Sequence, residues 1–282
     1  MSLIIETDLG HDPDDFFAIC YLVAVGVDIK AILVSPGDPD QIAIAALLRD
    51  ELGLDIPIGA AKPNRTKLSS GSIHHDLLKR YGRRLEAIPD GLGHEFLASM
   101  KTEDHDLFVI GPLSSVGKHL KSGGKPFKRA TMQGGFVPYS FYRPAVILDK
   151  FEDQSWMPTF NLNGDVDGAK AFLSADMPRR VVGKNICHTV EFNKARFARF
   201  APPKNRASEL FCEAAQLYFA HHDSKKFHDP TAAVLHLHPE VGLWADGKTT
   251  RMKGGWTTFP GEDQVLVDLD YEAMWEKMEN WV

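Results

Sequence analysis

The chain opens with a dense group of carboxylates directly after a short apolar run. Residues 3–5 are apolar and predict a buried strand. The next ten residues carry five acids: Glu6, Asp8, Asp12, Asp14 and Asp15. Carboxylates this close repel one another unless a cation lies among them. Hard oxygen ligands in such number suit Ca²⁺ or Mg²⁺, so the segment is a candidate metal or catalytic site.

Helix capping accounts for part of this cluster. Asp12 is a good N-cap residue and Pro13 is favoured at the first helical position. Asp14 and Asp15 suit the positive end of a helix dipole. Capping does not explain the acids that precede the helix on the strand side. We therefore favour a metal or catalytic site, with capping operating beside it.

A second acidic turn lies far down the chain. Asp229 precedes Pro230 and an apolar run at residues 232–237, which is typical of a helix start. A helix start alone would explain this pattern. The turn gains a chemical role if it meets Asp8 and Asp15 in space. Asp229 would then complete the oxygen shell of a cation, and His228 would face the same cavity.

Composition excludes several functional classes. The chain has 282 residues, a formal net charge of -6 and no basic stripe, so we expect no binding to nucleic acid polymers. No apolar stretch is long enough to span a bilayer, and the N-terminus lacks a signal pattern. The three cysteines show no metal-binding spacing. We expect a cytoplasmic protein without membrane contact.

The order of elements predicts an α/β fold. Strand and helix patterns alternate through the first half of the chain, which favours a mostly parallel, doubly wound sheet flanked by helices. The segment from residue 243 is predicted to be β-rich, with a final helix at 272–281. No convincing linker divides the chain, so we expect a single domain over residues 1–282. Right-handed crossovers would bring four strand ends to one edge of the sheet, at Asp8 and at residues 35–38, 111–114 and 133–135.

One segment departs from this alternation. Residues 136–158 hold six aromatic residues and three prolines with little periodicity. We predict a long loop beside the site, which could act as a lid.

Several motifs together resemble the inosine–uridine-preferring nucleoside hydrolases. The resemblance depends on the opening run at residues 6–15, on Gly111-Pro112-Leu113-Ser114, on Gly134-Gly135, on Phe160-Asn161 and on His228-Asp229-Pro230. It covers most of the chain, and the motifs follow the family's order. It implies a mostly parallel sheet flanked by helices, with a Ca²⁺ ion at the carboxyl ends of the strands. It also implies cleavage of the N-glycosidic bond of a ribonucleoside or related N-riboside by a Ca²⁺-bound water and an aspartate base.

The resemblance also implies roles for individual residues. The implied metal ligands are Asp8, Asp15, Asp229 and the backbone carbonyl at Ser114. Asp14 matches the general base, His228 a histidine near the leaving base, and Asn161 an asparagine that holds the ribose hydroxyls. Relatives are dimers or tetramers, which implies a homo-oligomer acting on a small molecule.

Three positions depart from the family pattern. Asp12-Pro13 is interposed before the paired aspartates, so either Asp14 or Asp12 could be the base, and Asp12 could also be a ligand. Asp38 stands where an asparagine is usual, and it could accept but not donate a hydrogen bond to a ribose hydroxyl. Thr159 replaces a glutamate. The metal-binding half of the pattern is retained and the sugar-binding half is altered, which predicts a shifted substrate.

Other residues are weaker candidates for substrate contacts. Trp156, Phe141 or Tyr142 could stack on the base, although ordinary packing explains each of them as well. His75 opens a helix together with His74 and could reach the substrate. Cys187, His188, His221 and His222 are interpreted as structural or surface residues.

Two other functions remain open. A protein of the same fold could bind Ca²⁺ and a ribosyl ligand without turnover. A Mg²⁺-dependent phosphohydrolase would also use aspartates at strand ends, but no lysine is placed for it by the motifs, and His228-Asp229-Pro230 would go unexplained.

Overall fold

The computed structural model describes residues 2–282 and builds them around one ten-stranded sheet. In chain order the strands are β1 (Ser2–Thr7), β2 (Asp28–Val34), β3 (Ile58–Ala60), β4 (Gly91–Leu92), β5 (Asp106–Ile110), β6 (Arg129–Gln133), β7 (Arg179–Val182), β8 (Glu191–Asn193), β9 (Ser224–Lys226), β10 (Gly242–Met252), β11 (Gly255–Pro260) and β12 (Asp263–Leu269). The order across the sheet is β11-β10-β12-β7-β6-β5-β1-β2-β3-β4, and β8 pairs with β9 in a separate ribbon.

The helices follow the predicted alternation closely. They are α1 (Asp14–Ala24), α2 (Pro39–Glu51), α3 (His74–Arg80), α4 (Gly93–Ser99), α5 (Ser114–Lys121), α6 (Phe160–Gly164), α7 (Val166–Ser174), α8 (Lys184–Cys187), α9 (Lys194–Phe197), α10 (Arg206–Phe219), α11 (His228–Leu237) and α12 (Tyr271–Glu279). Within residues 2–282, no helix is both long and apolar enough to cross a membrane.

Most of the sheet is parallel, as predicted. β12, β7, β6, β5, β1, β2, β3 and β4 run in one direction, each parallel to its neighbour. The β-rich tail was predicted, but its place in the sheet was not. β10 joins β12 in the antiparallel direction and pairs on its other side with β11, which extends the sheet as an antiparallel edge.

The sheet is covered on both faces, so its central strands are apolar on both sides. In β1, Ile5 packs into one apolar core and Ile4 into the other. The first core lies under α1, α10 and α11, and the second lies under α4, α5 and α7. Burial on both faces explains why the strands read as continuous apolar runs rather than as alternating patterns.

The strand order changes direction between β1 and β5. From β1 the chain moves through β2 to β3, whereas from β5 it moves the other way through β6 to β7. Open α/β sheets bind ligands in the crevice at such a point, beyond the carboxyl ends of the strands. Gly111 follows β5 there, and a Cβ at this position would lie 2.4 Å from the backbone nitrogen of Asp8. Only glycine allows the two strand ends to approach so closely.

The predicted lid segment has little regular structure. Between residues 136 and 158 the described chain contains a 3-10 helix at Asp149–Phe151 and an isolated bridge between Met157 and Trp256. Phe136, Tyr139 and Phe151 form a small apolar cluster of their own. The segment is thus anchored to the domain by local packing, and whether it opens and closes stays a prediction.

Candidate functional site

A cavity of about 360 Å³ opens at the carboxyl ends of β1 and β5, the position that the strand order favours. This volume lies within the usual range of small-molecule sites, about 300–1,000 Å³. The lining residues come from segments far apart in the chain: Asp8, His11, Asp12, Asp14, Asp15, Ile110, Gln133, Thr159, Phe160, Asn161, Lys184, His188, His228 and Asp229. The two acidic turns identified from the sequence therefore meet in one cavity.

Three of the lining aspartates are buried and repel one another. Burial raises the pKa of Asp8 to about 8, with the charge of Asp14 adding to the effect. Burial raises the pKa of Asp15 well above its usual range, and Asp8 and Asp14 raise it further. The pKa of Asp229 is raised in the same way, by burial and then by Asp14, Asp15 and Asp8. None of the three forms an ion pair with a basic side chain of residues 2–282.

Asp14 differs because it has basic partners. Its Oδ1 lies 3.0 Å from the ammonium of Lys225, and its Oδ2 lies 3.3 Å from Nδ1 of His228. Burial alone would raise the pKa of Asp14, but the contacts with His228 and Lys225 outweigh burial and lower it. Asp14 is therefore the acid of the cluster that these partners hold ionised.

Asp12 lies at the rim and is more than half exposed. Its side chain is 53% accessible, and its Oδ2 lies 2.9 Å from the same Lys225 ammonium. Its other oxygen accepts a hydrogen bond from the backbone N–H of Asp14 at 3.2 Å. The predicted cap was wrong by one residue, because α1 begins at Asp14 and its N-cap residue is Pro13 rather than Asp12. One oxygen each of Asp12, Asp14 and Asp15 lie within 4.8 Å of one another. Since Lys225 neutralises Asp12 and Asp14, the acids without a cation are Asp8, Asp15 and Asp229.

A divalent cation fits this arrangement. Three buried carboxylates without basic partners converge on one cavity, and Thr7 fixes Asp15 by donating a hydrogen bond to its Oδ1. Oxygen ligands of this kind suit Ca²⁺, Mg²⁺ or Mn²⁺ rather than softer metals. A bound cation would relieve the mutual repulsion that raises the pKa values of these acids.

His228 is placed between the acids and a second histidine. Its backbone N–H donates to Oδ2 of Asp14 at 3.3 Å, and its side-chain Nε2 is buried without a hydrogen-bond partner among the described residues. Its ring lies 4.9 Å from that of His188 in an edge-to-face contact. His188 was interpreted from the sequence as structural or surface, and that was wrong, because it lines the cavity.

The opposite wall is neutral and polar. Asn161 donates from Nδ2 to the backbone oxygen of Gln133 at 2.9 Å and to its Oε1 at 3.0 Å. The Thr159 hydroxyl accepts a hydrogen bond from the backbone N–H of Gly135 at 3.4 Å. Both residues line the cavity at the start of α6, as the sequence motif led us to expect. These contacts connect the wall to the carboxyl end of β6.

Phe160 lies at the mouth of the cavity. Its side chain is 64% exposed, and its ring centroid lies 6.0 Å from that of His11. Because an apolar ring this exposed gains little from folding, it is available for contact with a ligand.

Two of the predicted site residues lie elsewhere for identifiable reasons. Asp38 does not line the cavity, because it caps α2 and its Oδ1 accepts a hydrogen bond from Nε of Arg65 at 2.6 Å. Ser114 is the first residue of α5 and also lies outside the lining, whereas Ile110, at the end of β5, contributes to it. The residue that β5 contributes to the lining is therefore Ile110.

Four further candidates are also outside the lining. His75 begins α3 with His74, and its Nε2 pairs with Asp40 at 3.1 Å. Trp156, in the lid segment, is half-buried near Gly254. Phe141 and Tyr142, in the same segment, pack against the apolar core. None of these side chains lines the cavity, and Phe160 is the aromatic ring that does.

Glu6, the first acid of the opening cluster, has a structural role at α5 rather than at α1. Its side chain accepts hydrogen bonds from the backbone N–H groups of Ser115, at 2.6 Å, and Val116, at 3.0 Å. It therefore caps α5 from the neighbouring strand. Burial raises its pKa to about 8 despite these bonds.

Four residues at the cavity were not among the site residues predicted from the sequence: His11, Lys184, His188 and Lys225. Lys225 lies on β9, and no motif marks the short ribbon that brings it to Asp14. Lys184 follows β7, and its position at the carboxyl end of a parallel strand was the one signal available.

Comparison with known proteins gives one consistent result. Residues 3–276 match the family model described as inosine-uridine preferring nucleoside hydrolase. None of the curated proteins compared with the chain matches it.

Solved structures match the fold over nearly the whole chain. One is the plant nucleoside hydrolase PpNRh1, with 18% identity, a TM-score of 0.75 and coverage of 99% of this chain and 97% of that chain. A purine-preferring ribonucleoside hydrolase from Gardnerella vaginalis has 15% identity, a TM-score of 0.65 and coverage of 100% and 98%. An inosine-uridine preferring nucleoside hydrolase from Bacillus anthracis has 12% identity, a TM-score of 0.69 and coverage of 98% and 97%. At these identities the likeness establishes the mostly parallel fold, and both the predicted fold class and the predicted family are confirmed.

Proposed function

Since the chain belongs to the inosine-uridine preferring nucleoside hydrolases, a family of N-glycosyl hydrolases, we propose that it cleaves the N-glycosidic bond of a ribonucleoside or related N-riboside with Ca²⁺ as cofactor. The observation that carries this proposal is the meeting of Asp8, Asp14, Asp15 and Asp229 in one cavity beside His228.

Asp8, Asp15 and Asp229 would hold the cation. They are the buried acids of the site that have no ion pair among residues 2–282, so they gain most from a positive charge. A backbone carbonyl at the end of β5 would add a neutral ligand, and the lining favours Ile110 over Ser114 as its source. When bound, the ion would lower the pKa of a water molecule and orient the 2′ and 3′ hydroxyls of the ribose.

Asp14 would act as the general base. A base must be ionised when the substrate arrives, and Lys225 and His228 lower the pKa of Asp14 in a site where its neighbours' pKa values are raised. Asp12 is the weaker candidate, because it is 53% exposed and is held at the rim by Lys225. Asp14 would accept the proton of the attacking water and, as a carboxylate, stabilise the developing oxocarbenium charge on the ribose.

His228 would assist departure of the base. Its Nδ1 is oriented by Asp14, and its Nε2 has no protein partner among the described residues, so a ring nitrogen of the leaving base could take that place. A carboxylate bonded to one imidazole nitrogen fixes the ring and supports proton donation from the other.

The remaining lining would bind the substrate. Asn161 is held by Gln133 at 2.9 and 3.0 Å, so it is oriented before a ligand enters and can contact ribose hydroxyls. Thr159 offers a hydroxyl on the same wall, and Phe160 offers an apolar ring at the mouth. The segment 136–158 would cover the bound substrate as a lid and exclude water.

The decisive experiment is a measurement of free ribose released from a panel of N-ribosides, with and without chelator. Calcium-dependent release that is lost in Asp14→Asn would support the proposal. Asp223→Asn is the matched control, because Asp223 is fully exposed on its side chain, at 98%.

The alternative function is a Ca²⁺-dependent binding protein of the same fold without turnover. Binding of a riboside in the calorimeter with no release of ribose from any member of the panel would establish this alternative and overturn hydrolysis. The lowered pKa of Asp14 favours hydrolysis over this alternative. A hydrolase needs an ionised general base, whereas a binding protein does not.

We place the enzyme in the cytoplasm as a homo-oligomer. Cys20, Cys187 and Cys212 are all free, which suits a reducing compartment. The oligomer rests on the family resemblance, and light scattering of the purified protein would test it.

A further inference from the structure

The cavity has two ends of opposite charge. Asp8, Asp15 and Asp229 form the acidic end, whereas Lys184 lines the cavity with its side chain half-buried. Lys150, in the lid segment, lies next to this second end, since its Nζ is 3.0 Å from Nδ1 of the lining residue His188. A neutral nucleoside gives no reason for ammonium groups here.

The two lysines have no acidic partners. Nζ of Lys184 donates to the backbone oxygen of Pro158 at 3.0 Å, and Nζ of Lys150 lies over the ring of Phe151, 4.9 Å from its centroid. No carboxylate of residues 2–282 forms an ion pair with either lysine. Burial lowers the pKa of Lys184, and repulsion by Lys150 lowers it further. By contrast, the neighbouring Lys226 is neutralised by Glu191 at 2.6 Å.

We infer that the cavity binds an N-riboside carrying a phosphate on its 5′ carbon, a ribonucleoside 5′-monophosphate, with the phosphate at Lys184 and Lys150. This inference rests on the proposed function, since it names the substrate class of the same site. A phosphate monoester carries about -1.5 to -2 charges at pH 7. It therefore matches the charge of two ammonium groups better than a carboxylate, with its single negative charge, would. Lysine is a common phosphate ligand that acts as a point charge.

The shape of a ribonucleoside agrees with this placement. The 2′ and 3′ hydroxyls project from one face of the ribose ring, and the 5′ carbon and the base project from the other. Hydroxyls directed to the acidic end therefore turn the 5′ phosphate away from the carboxylates that would repel it. Thr159 directly follows Pro158, the residue that Lys184 contacts, so a neutral hydroxyl lines this end.

The covalent step is unchanged by the phosphate. The bond between C1′ and the base nitrogen breaks, water supplies a hydroxyl to C1′, and the base leaves with the remaining proton. The products are the free base and ribose 5-phosphate, and no oxidant, reductant or second substrate is needed.

Binding of the sugar product tests the inference without turnover. Isothermal titration of the calcium-loaded full-length protein with ribose 5-phosphate and with ribose should give a preference of about ten- to hundredfold for the phosphate. Inorganic phosphate alone should compete with ribose 5-phosphate. Equal affinity for the two sugars would overturn the inference.

Variants separate a phosphate contact from a structural role. Lys184→Met should reduce the ratio of the two affinities by about tenfold, and Lys184→Arg should restore most of it. Loss of affinity for both sugars in equal measure would indicate that Lys184 only anchors Pro158, and would overturn the inference. Lys30→Met is the matched control. Lys30 pairs with Asp28 near the amino end of β2, whereas the cavity lies at the carboxyl ends of the strands.

Hydrolysis assays distinguish failure of this inference from failure of the proposed function. The kcat/KM for inosine 5′-monophosphate should exceed that for inosine. It should also exceed the kcat/KM for a riboside whose base carries a carboxylate. Efficient cleavage of inosine with no gain from the phosphate would overturn the inference alone, and preference for the carboxylated base would overturn the phosphate assignment. Tight binding of ribose 5-phosphate with no cleavage of any riboside would overturn the proposed function and leave the phosphate site standing.

Discussion

Asp14 and His228 are 214 positions apart in the chain, yet the ring and the backbone N–H of His228 both contact one oxygen of Asp14, each at 3.3 Å. The first turn of α1 and the first turn of α11 are thus joined at the floor of the cavity. The proposed base Asp14 and the proposed acid His228 could act on the same substrate only if both helices keep their position. The packing of α1 against α11 provides that rigidity.

Removing the carboxylate charge of Asp14 should abolish most of the activity. We expect Asp14→Asn to lower kcat by about 10²- to 10⁴-fold, the usual contribution of a general base. Steady-state release of ribose measures this change, with Asp223→Asn as the control. Activity within threefold of wild type would contradict the role of Asp14.

Replacing His228, the proposed proton donor, should have an effect that depends on the leaving group. His228→Gln should slow cleavage of a purine nucleoside by about 10²-fold or more, because its base needs a proton to leave. An aryl riboside with an acidic phenol as leaving group needs no such proton and should be cleaved almost normally. The ratio of the two kcat values measures the effect, with exposed His222→Gln as the control. Equal slowing of both substrates would show that His228 only maintains the fold.

Binding of the metal should stabilise the fold. Ca²⁺ at a hundred times its Kd should add about 2.7 kcal/mol to the free energy of unfolding, which corresponds to a rise of several degrees in Tm. Asp15→Asn should lose this rise, and its metal-free form should be no less stable than wild type, since one of the repelling charges is removed. Scanning calorimetry with calcium and with chelator measures both quantities. A calcium-dependent rise of normal size in Asp15→Asn would contradict its role as a ligand.

His236 should make the stability depend on pH away from the site. It is 1% exposed, and its Nδ1 lies 2.9 Å from the Thr131 hydroxyl. Burial lowers its pKa to about 4 from an ordinary value of 6.5. Between these values the unfolded chain binds a proton that the folded chain does not, so stability is complete above pH 6.5 and decreases as the pH falls toward 4. This difference amounts to about 3 kcal/mol.

The contribution of His236 can be isolated by substitution. His236→Gln keeps a polar group near Thr131 but does not titrate, so urea denaturation should show a shallower loss of stability between pH 6.5 and 4 than in wild type. His221→Gln, at an exposed position, should follow the wild-type curve. Parallel curves for His236→Gln and wild type would contradict the assignment.

Gly111 should couple the close approach of two strands to metal binding. A Cβ at Gly111 would lie 2.4 Å from the backbone of Thr7 and of Asp8, so Gly111→Ala must push β5 from β1. We expect a loss of about 1–3 kcal/mol in stability and a weaker affinity for calcium, because Asp8 moves with its strand. Gly254→Ala is the control, since its Cβ would meet nothing closer than Trp156 at 4.0 Å. Normal calcium affinity in Gly111→Ala would contradict the coupling.

The parallel sheet and the acidic cluster could be predicted because local patterns determine them. Apolar runs such as residues 107–110 are long enough to indicate strands, and the acids at the end of β1 follow their strand directly. The place of the tail could not be predicted, because pairing of β10 with β12 rather than with a separate sheet depends on contacts between distant segments.

The predictions for single side chains failed where another residue decided their orientation. Asp38 and His75 were plausible site residues until Arg65 and Asp40 were found to bind them. The opposite error occurred for His188, which no motif marks and which reaches the cavity because α8 follows β7 at the edge where the site lies. A sequence shows which groups could do chemistry, but not which partners already occupy them.

The separation of Asp229 from Asp8, Asp14 and Asp15 also has a consequence for synthesis of the protein. As the chain leaves the ribosome, Asp8, Asp14 and Asp15 emerge at once, whereas Asp229, which lines the same cavity, emerges 214 positions after Asp15. Early segments therefore carry mutually repelling charges for most of that time, with no complete set of ligands to neutralise them. Capture of the cation would then wait until α11 has been made and packed, and metal content would report whether a newly made molecule has brought the start of α11 to the end of β1.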